Sequence, residues 1–191
     1  LKRRTSKHKR VIRKYCDNND GDCPMSTLSV DTIQGKTTAG TVAMPSGYVI
    51  QTQTLSRVKT GKTTSSSTSP IILNDGVGNF ELAITPKFAS SKIIGSVSIS
   101  GVANSTSSKS IAILVYRNGT FLQYLDSHLA YSTNNTGDRH HFGACFVDSP
   151  NSTSSETYSF YGQGNGSSYL FFDDHISTSV TNSIILQEIK Q

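Results

Sequence analysis

Ile93-Ile94-Gly95-Ser96-Val97-Ser98-Ile99-Ser100-Gly101-Val102 alternates apolar and small polar residues at a period of two. Successive side chains of a β-strand point to opposite faces, so this stretch presents one apolar face and one face of small polar residues. A second stretch says how such strands connect. In Tyr116-Arg117-Asn118-Gly119-Thr120-Phe121, Asn-Gly stands between two apolar runs. Both positions of a two-residue hairpin loop need positive φ, which Asn and Gly adopt most readily, so a tight hairpin is expected here. Outward from these two stretches, short strand candidates recur at 71–73, 80–85, 92–102, 110–116, 120–125, 141–147, 157–161, 169–173 and 183–189. The linkers between them are rich in turn residues: Asn134-Asn135-Thr136-Gly137-Asp138, Asp148-Ser149-Pro150-Asn151 and Gly162-Gln163-Gly164-Asn165-Gly166. No helical period lasts beyond one turn after Met25. Nine short strands with polar loops predict an all-β protein, a two-sheet β-sandwich with jelly-roll topology favoured.

Composition agrees with that reading. Of 191 residues, 35% are hydrophobic and only 16% charged, the balance falling to Ser, Thr, Gly and Asn. So few apolar side chains make a thin core, as in sheets that bury one face and solvate the other. Disordered chains carry many charges and few β-branched residues, and this chain has the opposite balance. No run of eighteen apolar residues is present, so no membrane-spanning helix is expected.

The net charge of +5 is concentrated at one end. Residues 1–14 hold eight basic side chains and no acid: Lys2, Arg3, Arg4, Lys7, Lys9, Arg10, Arg13 and Lys14. Taking these eight from eighteen leaves ten basic against thirteen acidic residues, a net −3 for the remainder. A basic leader (1–24) therefore precedes a mildly acidic body, and the overall charge does not argue for nucleic-acid binding by the folded part. The leader has no apolar core of a secretory signal and is read as a docking segment for an acidic partner surface or nucleic acid, or as a solvated tail. Residues 25–69 read as an extended docking arm with short strands, chief among them the β-branched run 48–58, followed by a Ser/Thr-rich loop at 60–69. The jelly roll is expected over 70–191.

Candidate chemistry is sparse. Adjacent His140 and His141 on a strand would face opposite ways and cannot both ligate one ion. Asp173-Asp174-His175 offers two carboxylates, short of the six to eight oxygens calcium takes. The serines lack a Gly-x-Ser-x-Gly elbow, and Asp17–Asp22 departs from the EF-hand spacing. Catalytic residues, metal ligands and cofactors are therefore all expected to be none. Cys16, Cys23 and Cys145 fit no zinc spacing and read as free thiols, with Cys145 buried in a strand and a Cys16–Cys23 bridge the other possibility. Asn104, Asn118, Asn134, Asn151 and Asn165 meet the N-x-Ser/Thr rule, as a chain of this composition does by chance. Among the C-terminal aromatics, Phe160, Tyr169 and Phe171 are expected to make core or subunit contacts, with glycan stacking on exposed aromatics as the alternative.

The segment 25–40 (MSTLSVDTIQGKTTAG) with Met44-Pro45-Ser46-Gly47-Tyr48-Val49-Ile50-Gln51 resembles the start of virion structural proteins of marine bacteriophages infecting cyanobacteria and related hosts. Ile84-Thr85-Pro86-Lys87, Val115-Tyr116-Arg117-Asn118-Gly119, the run 146–154 (FVDSPNSTS) and the run 183–189 (SIILQEI) resemble later parts of the same proteins, in the same order. The likeness covers most of 25–191 and leaves out 1–24. It implies a TNF/C1q-like jelly roll that forms a homotrimer behind an extended arm, and it brings no catalytic residues. It implies a tail-fibre or tail-tip protein on the surface of the extracellular particle, or alternatively a capsid-decorating protein that coats the head. Implied partners are other virion proteins (portal, tail, baseplate or major capsid protein), and no membrane is implied. A second reading is a recognition module, in which loops 132–140 and 162–168 touch host surface glycan or protein.

Overall fold

The computed structural model describes residues 46–58, 60–61, 63–65, 67–104, 109–132, 139–164, 169–172 and 181–191. Eleven strands lie within them: β1 (Val49–Val58), β2 (Thr63–Ser65), β3 (Ile71–Ile72), β4 (Glu81–Ile84), β5 (Lys92–Asn104), β6 (Lys109–Arg117), β7 (Thr120–Ser132), β8 (Arg139–Asp148), β9 (Glu156–Gly164), β10 (Tyr169–Phe171) and β11 (Thr181–Ile189). All pair antiparallel, in two sheets. The first runs β1-β11-β5, with β8 on the other side of β5 and the short β10 and β2 extending it; the second runs β3-β9-β6-β7, with β4 also on β9.

Setting aside the short strands β2, β3 and β10, the remaining eight taken in chain order stack as 1-8-3-6 in one sheet and 2-7-4-5 in the other. Each sheet thus takes strands from both ends of the chain, and every long connection crosses between sheets. This is the jelly roll, and it manages strand edges by folding two Greek keys face to face. Each strand expected from 70 onward is present. The Asn-Gly hairpin joins β6 to β7, with Asn118 at φ 48° and Gly119 at φ 77°, as the two-residue turn requires.

Two expectations need revision. The strand read within the docking arm is β1, and it pairs with β11 from Val49↔Ile189 to Val58↔Thr181. The sandwich therefore begins before residue 70, and Met44–Gln191 forms one compact unit. Within the Ser/Thr-rich segment expected as a loop, Thr63–Ser65 is a strand on β10. Thr63 Oγ1 explains the local order: it donates to the Asn74 carbonyl at 2.8 Å and accepts from the Asn74 N–H at 2.7 Å.

The core lies between the sheets and is built by alternation. Ile93, Val97 and Ile99 of β5, Phe142 and Phe146 of β8, and Ile184 and Leu186 of β11 face Ile111, Ile113 and Val115 of β6 and Tyr158 and Phe160 of β9. Gly95 sits opposite Phe146 on the inner face. A Cβ there would fall within 2.1 Å of the Phe146 ring, so the glycine makes room for the aromatic that packs on Tyr158 and Phe160.

Two polar clusters, one part-buried and one buried, join elements that hydrophobic packing alone would leave free to slide. At the hairpin end, Arg117 Nη1 meets Asp148 Oδ2 at 2.6 Å, Tyr158 Oη donates to the same oxygen at 2.8 Å, and Asn118 Nδ2 donates to Glu156 Oε2 at 2.7 Å. Arg117, Tyr158 and Glu156 belong to one sheet and Asp148 to the other, so the cluster ties the two together. Burial and the Asp148 carboxylate push the Tyr158 phenol far above the ordinary range. Burial opposes the Arg117 charge, but Asp148 and Glu156 outweigh it and raise the guanidinium further. The second cluster is the fully buried Glu188, which accepts from Gln51 Nε2 and from the backbone N–H groups of Lys87 and Phe88. It fastens the last strand to β1 and to the β4–β5 connection. The buried carboxylate is satisfied by donors, as a buried charge must be.

Candidate binding face

The outer face of the second sheet carries four aromatic residues that do not enter the core, Tyr116, Phe121, Tyr124 and Tyr161. In β6, the inward residues Ile111, Ile113 and Val115 alternate with Ala112, Leu114 and Tyr116 facing out. In β9, Tyr161 and Gln163 face out between the inward Phe160, Gly162 and Gly164. Cross-strand register then sets a row Ile72–Tyr161–Leu114–Tyr124 from β3 to β7, and beside it a row Ser159–Tyr116–Phe121.

The rings touch in sequence. Tyr161 and Tyr116 lie 4.1 Å apart between centroids at 35°, Tyr116 and Phe121 5.6 Å apart at 68°, and Phe121 and Tyr124 5.3 Å apart at 65°. Edge-to-face pairs suit the ring quadrupoles and hold each ring in one pose. Phe121 nevertheless stays 43% exposed and Tyr124 50%. Burial, and then the neighbouring Tyr161 and Tyr124 phenols, raise the Tyr116 phenol above its usual range, so it is a neutral hydroxyl at physiological pH.

Beside Tyr124 the face dips into a shallow cavity of about 440 Å³, lined among others by Thr68, Ser110, Ala112, Tyr124, Ser127 and Gln163. Among the described residues, every polar side chain in that lining is a hydroxyl or an amide. Gln163 is fixed at both ends: Nε2 donates to the Thr68 carbonyl at 2.7 Å, and Oε1 accepts from Tyr124 Oη at 3.3 Å. Ser127 Oγ lies 2.9 Å from His128 Nδ1.

The other outer face is different in kind. Register places Thr52–Gln187–Ile94–Val147, Thr54–Ile185–Ser96–Cys145 and Ser56–Ser183–Ser98–Gly143 in three rows across the first sheet. None of these twelve residues is charged. Ile94, Ile185 and Val147 are 36%, 38% and 58% exposed.

The residues singled out from sequence are distributed as follows. Phe160 is fully buried in the core. Tyr169 and Phe171 fall on β10, and their side chains lie outside the described residues, as do the eight basic residues of the leader, Cys16, Cys23, the Asp17–Asp22 run and Asp173-Asp174-His175. His140 and His141 are exposed at the start of β8, His141 Nε2 lying 3.2 Å from Ser98 Oγ. Cys145 is on a strand as expected, but it is exposed, 3.0 Å from Ser96 Oγ. Its neighbours Ala144 and Phe146 take the inward positions, and alternation sends the thiol out. Among the described residues no group of three His, Cys, Asp or Glu side chains could hold a metal ion, and no helix is long and apolar enough to cross a membrane. The aromatic face itself was not anticipated as a unit. Of its members only Tyr161 belongs to the aromatic-rich C-terminal region.

No family model and no curated protein matches the chain. Solved structures match at low identity. Dimeric latent PorU from Porphyromonas gingivalis aligns over 78% of this chain and 13% of its own, with 8% identity and a TM-score of 0.42. The VP2 subviral particle of infectious bursal disease virus aligns over 74% of this chain and 37% of its own, with 13% identity and a TM-score of 0.41. The Gt strain of that virus gives 87%, 42%, 12% and 0.38 respectively. The chain spans less than half the length of each of these. At such identities and TM-scores the likenesses decide nothing about function.

Proposed function

We propose that the chain is a structural component of a bacteriophage virion: a homotrimeric surface protein of tail-fibre or tail-tip type that catalyses no reaction. Its N-terminal segment would attach it to other virion proteins, and the jelly roll would stand on the outside of the particle, within reach of the host surface. The sequence resemblance suggests the setting. The structural observation that carries the reading is the outer face of the first sheet, with three uncharged rows of Ser, Thr and small residues studded with exposed Ile94, Ile185 and Val147. A broad face whose three rows show water apolar side chains and no charge, with the exposed Lys92 at its rim, suits a subunit contact, where charged residues are depleted from the centre. Closed rotational symmetry would bury it three times over.

Sedimentation of the full chain at micromolar concentration tests the assembly. A trimer is expected, and a monomer would overturn the proposal. Attachment is tested by removing residues 1–43, which stops short of β1 and leaves the sandwich whole; particles should then lack the protein. Density for the chain in a particle reconstruction is expected on the tail, and density over the head shell would replace tail attachment by capsid decoration.

A further inference from the structure

We propose that the cavity beside Tyr124 is a binding site for a neutral saccharide, with the Phe121–Tyr124 pair as its stacking platform and Gln163 as its central hydrogen-bonding group. This goes beyond the assembly role, since it concerns the opposite face of the sandwich and stands whether or not the chain forms part of a particle.

Three features carry it. A pyranose offers an apolar face of C–H groups and a rim of hydroxyls, and it is recognised by an exposed aromatic ring beside neutral donors and acceptors. Tyr124 supplies the ring, half exposed and held from one side by Phe121 at 5.3 Å. Gln163 supplies the amide. With Nε2 on the Thr68 carbonyl and Oε1 on Tyr124 Oη, it cannot swing away, and each end retains hydrogen-bonding capacity (a second N–H and a second lone pair). Such pre-orientation lowers the ordering cost of binding. The volume of about 440 Å³ lies within the roughly 300–1,000 Å³ of small-molecule sites.

The lining also says what the site is not built for. A phosphate backbone needs Lys or Arg, and none of the described lining side chains is charged, which disfavours nucleic acid and anionic glycans alike. A second copy of this flat-faced sandwich would cover the rings but leave the cavity unfilled. A small polyol fills it and stacks on the ring at the same time.

The chain has eight tyrosines and no tryptophan, so its ultraviolet emission reports on tyrosine alone. The full chain would be titrated with maltotriose, cellotriose and mannotriose, and in parallel with a sialylated and a sulfated trisaccharide and a short oligonucleotide. Emission and saturation-transfer NMR would be the readouts. At least one neutral trisaccharide is expected to bind with a dissociation constant on the order of 1 mM. Tyr124→Ala and Gln163→Ala should each weaken it about tenfold or more, and Ile185→Lys on the far face should leave it unchanged. Tyr124 is exposed, and its loss is expected to leave the fold intact; an unchanged thermal transition checks this. No neutral trisaccharide binding up to about 10 mM overturns the proposal. Preference for the anionic sugars or the oligonucleotide, binding indifferent to both variants, or a role of Tyr124 confined to association between copies would each overturn it as well.

Discussion

The two outer faces of this sandwich rest on one shared core and diverge completely in what they offer water. The first sheet shows rows of Thr, Ser, Ile and Val without charge or depth. The second shows four aromatic rings in mutual contact beside a cavity lined by hydroxyls and an amide. A flat apolar face gains most by meeting another protein surface, because its stabilisation scales with area removed from water. A ring next to a polar hollow gains most from a small ligand that uses both. The same alternation that builds the core thus leaves two surfaces of different chemistry back to back.

The largest effect expected from breaking this division is on assembly. Ile185→Lys together with Val147→Lys puts two ammonium groups on the first face, one on the inner strand β11 and one on the edge strand β8. Their burial in a subunit contact would be unpaired, so association should weaken on the order of a hundredfold or more. Tyr124→Ala should leave association unchanged. Sedimentation over a concentration series separates the two, and equal effects from both faces would erase the distinction.

Beneath the faces, the sheets depend on each other through Gly95 and Phe146. Gly95→Ala inserts a methyl group where the ring lies, and overpacking of this kind costs about 1–3 kcal/mol. The denaturant midpoint should fall with the slope unchanged. Partial recovery by Phe146→Leu in the same chain would show that the glycine is there for the ring.

The polar tie at the hairpin end gives a smaller effect with a pH signature. Tyr158→Phe removes the Tyr158 hydrogen bond to Asp148, which Arg117 still neutralises, so the loss near neutral pH should be about 1 kcal/mol. A free phenol ionises near pH 10.0, whereas in the folded protein burial and Asp148 hold Tyr158 neutral well beyond that. The stabilisation is therefore complete below pH 10.0 and lost as pH rises above it, because the unfolded chain releases the proton first. Stability of the wild-type chain should fall more steeply above that pH than stability of Tyr158→Phe. Identical slopes, followed by urea unfolding at pH 9 to 11 (a range of about one unit either side of the free phenol), would contradict this.

How much of this was legible in the sequence depended on whether the pattern was local. The period of two in 93–102 and the Asn118-Gly119 pair each act within a few residues; the hairpin appears as expected, and the alternation holds from Ile93 to Ile99, where a bulge at Ser100-Gly101 ends it. β2 left no trace, because Thr63–Ser65 carries no apolar alternation and is held through Thr63 and the distant Asn74. The aromatic face was illegible for a different reason. Phe121 and Tyr124 are three apart, which in a regular strand sends them to opposite faces. A bulge shifts the register from Tyr116↔Phe121 and Val115↔Gln123, so Leu114 meets Tyr124 and both rings face out. One extra residue in a strand inverts the parity of all that follow, and nothing in the composition of 120–125 announces it. The cavity is further out of reach, since Thr68, Ser127 and Gln163 converge from three separate segments.

Cys145 gives the smallest energetic effect and the sharpest report on the first face. Its thiol touches only Ser96 Oγ among the described contacts and lies in the same row as Ile185. Cys145→Ser should therefore change stability by less than about 0.5 kcal/mol. In a chain carrying Cys16→Ser and Cys23→Ser, a thiol reagent sees Cys145 alone. If the first face is the subunit contact, labelling should be slow in the trimer and limited by dissociation. Ile185→Lys with Val147→Lys should restore the rate of an open thiol. Fast labelling of an intact trimer would move the contact elsewhere on the sandwich, and the first face would then have to be explained as a surface that stays open to water.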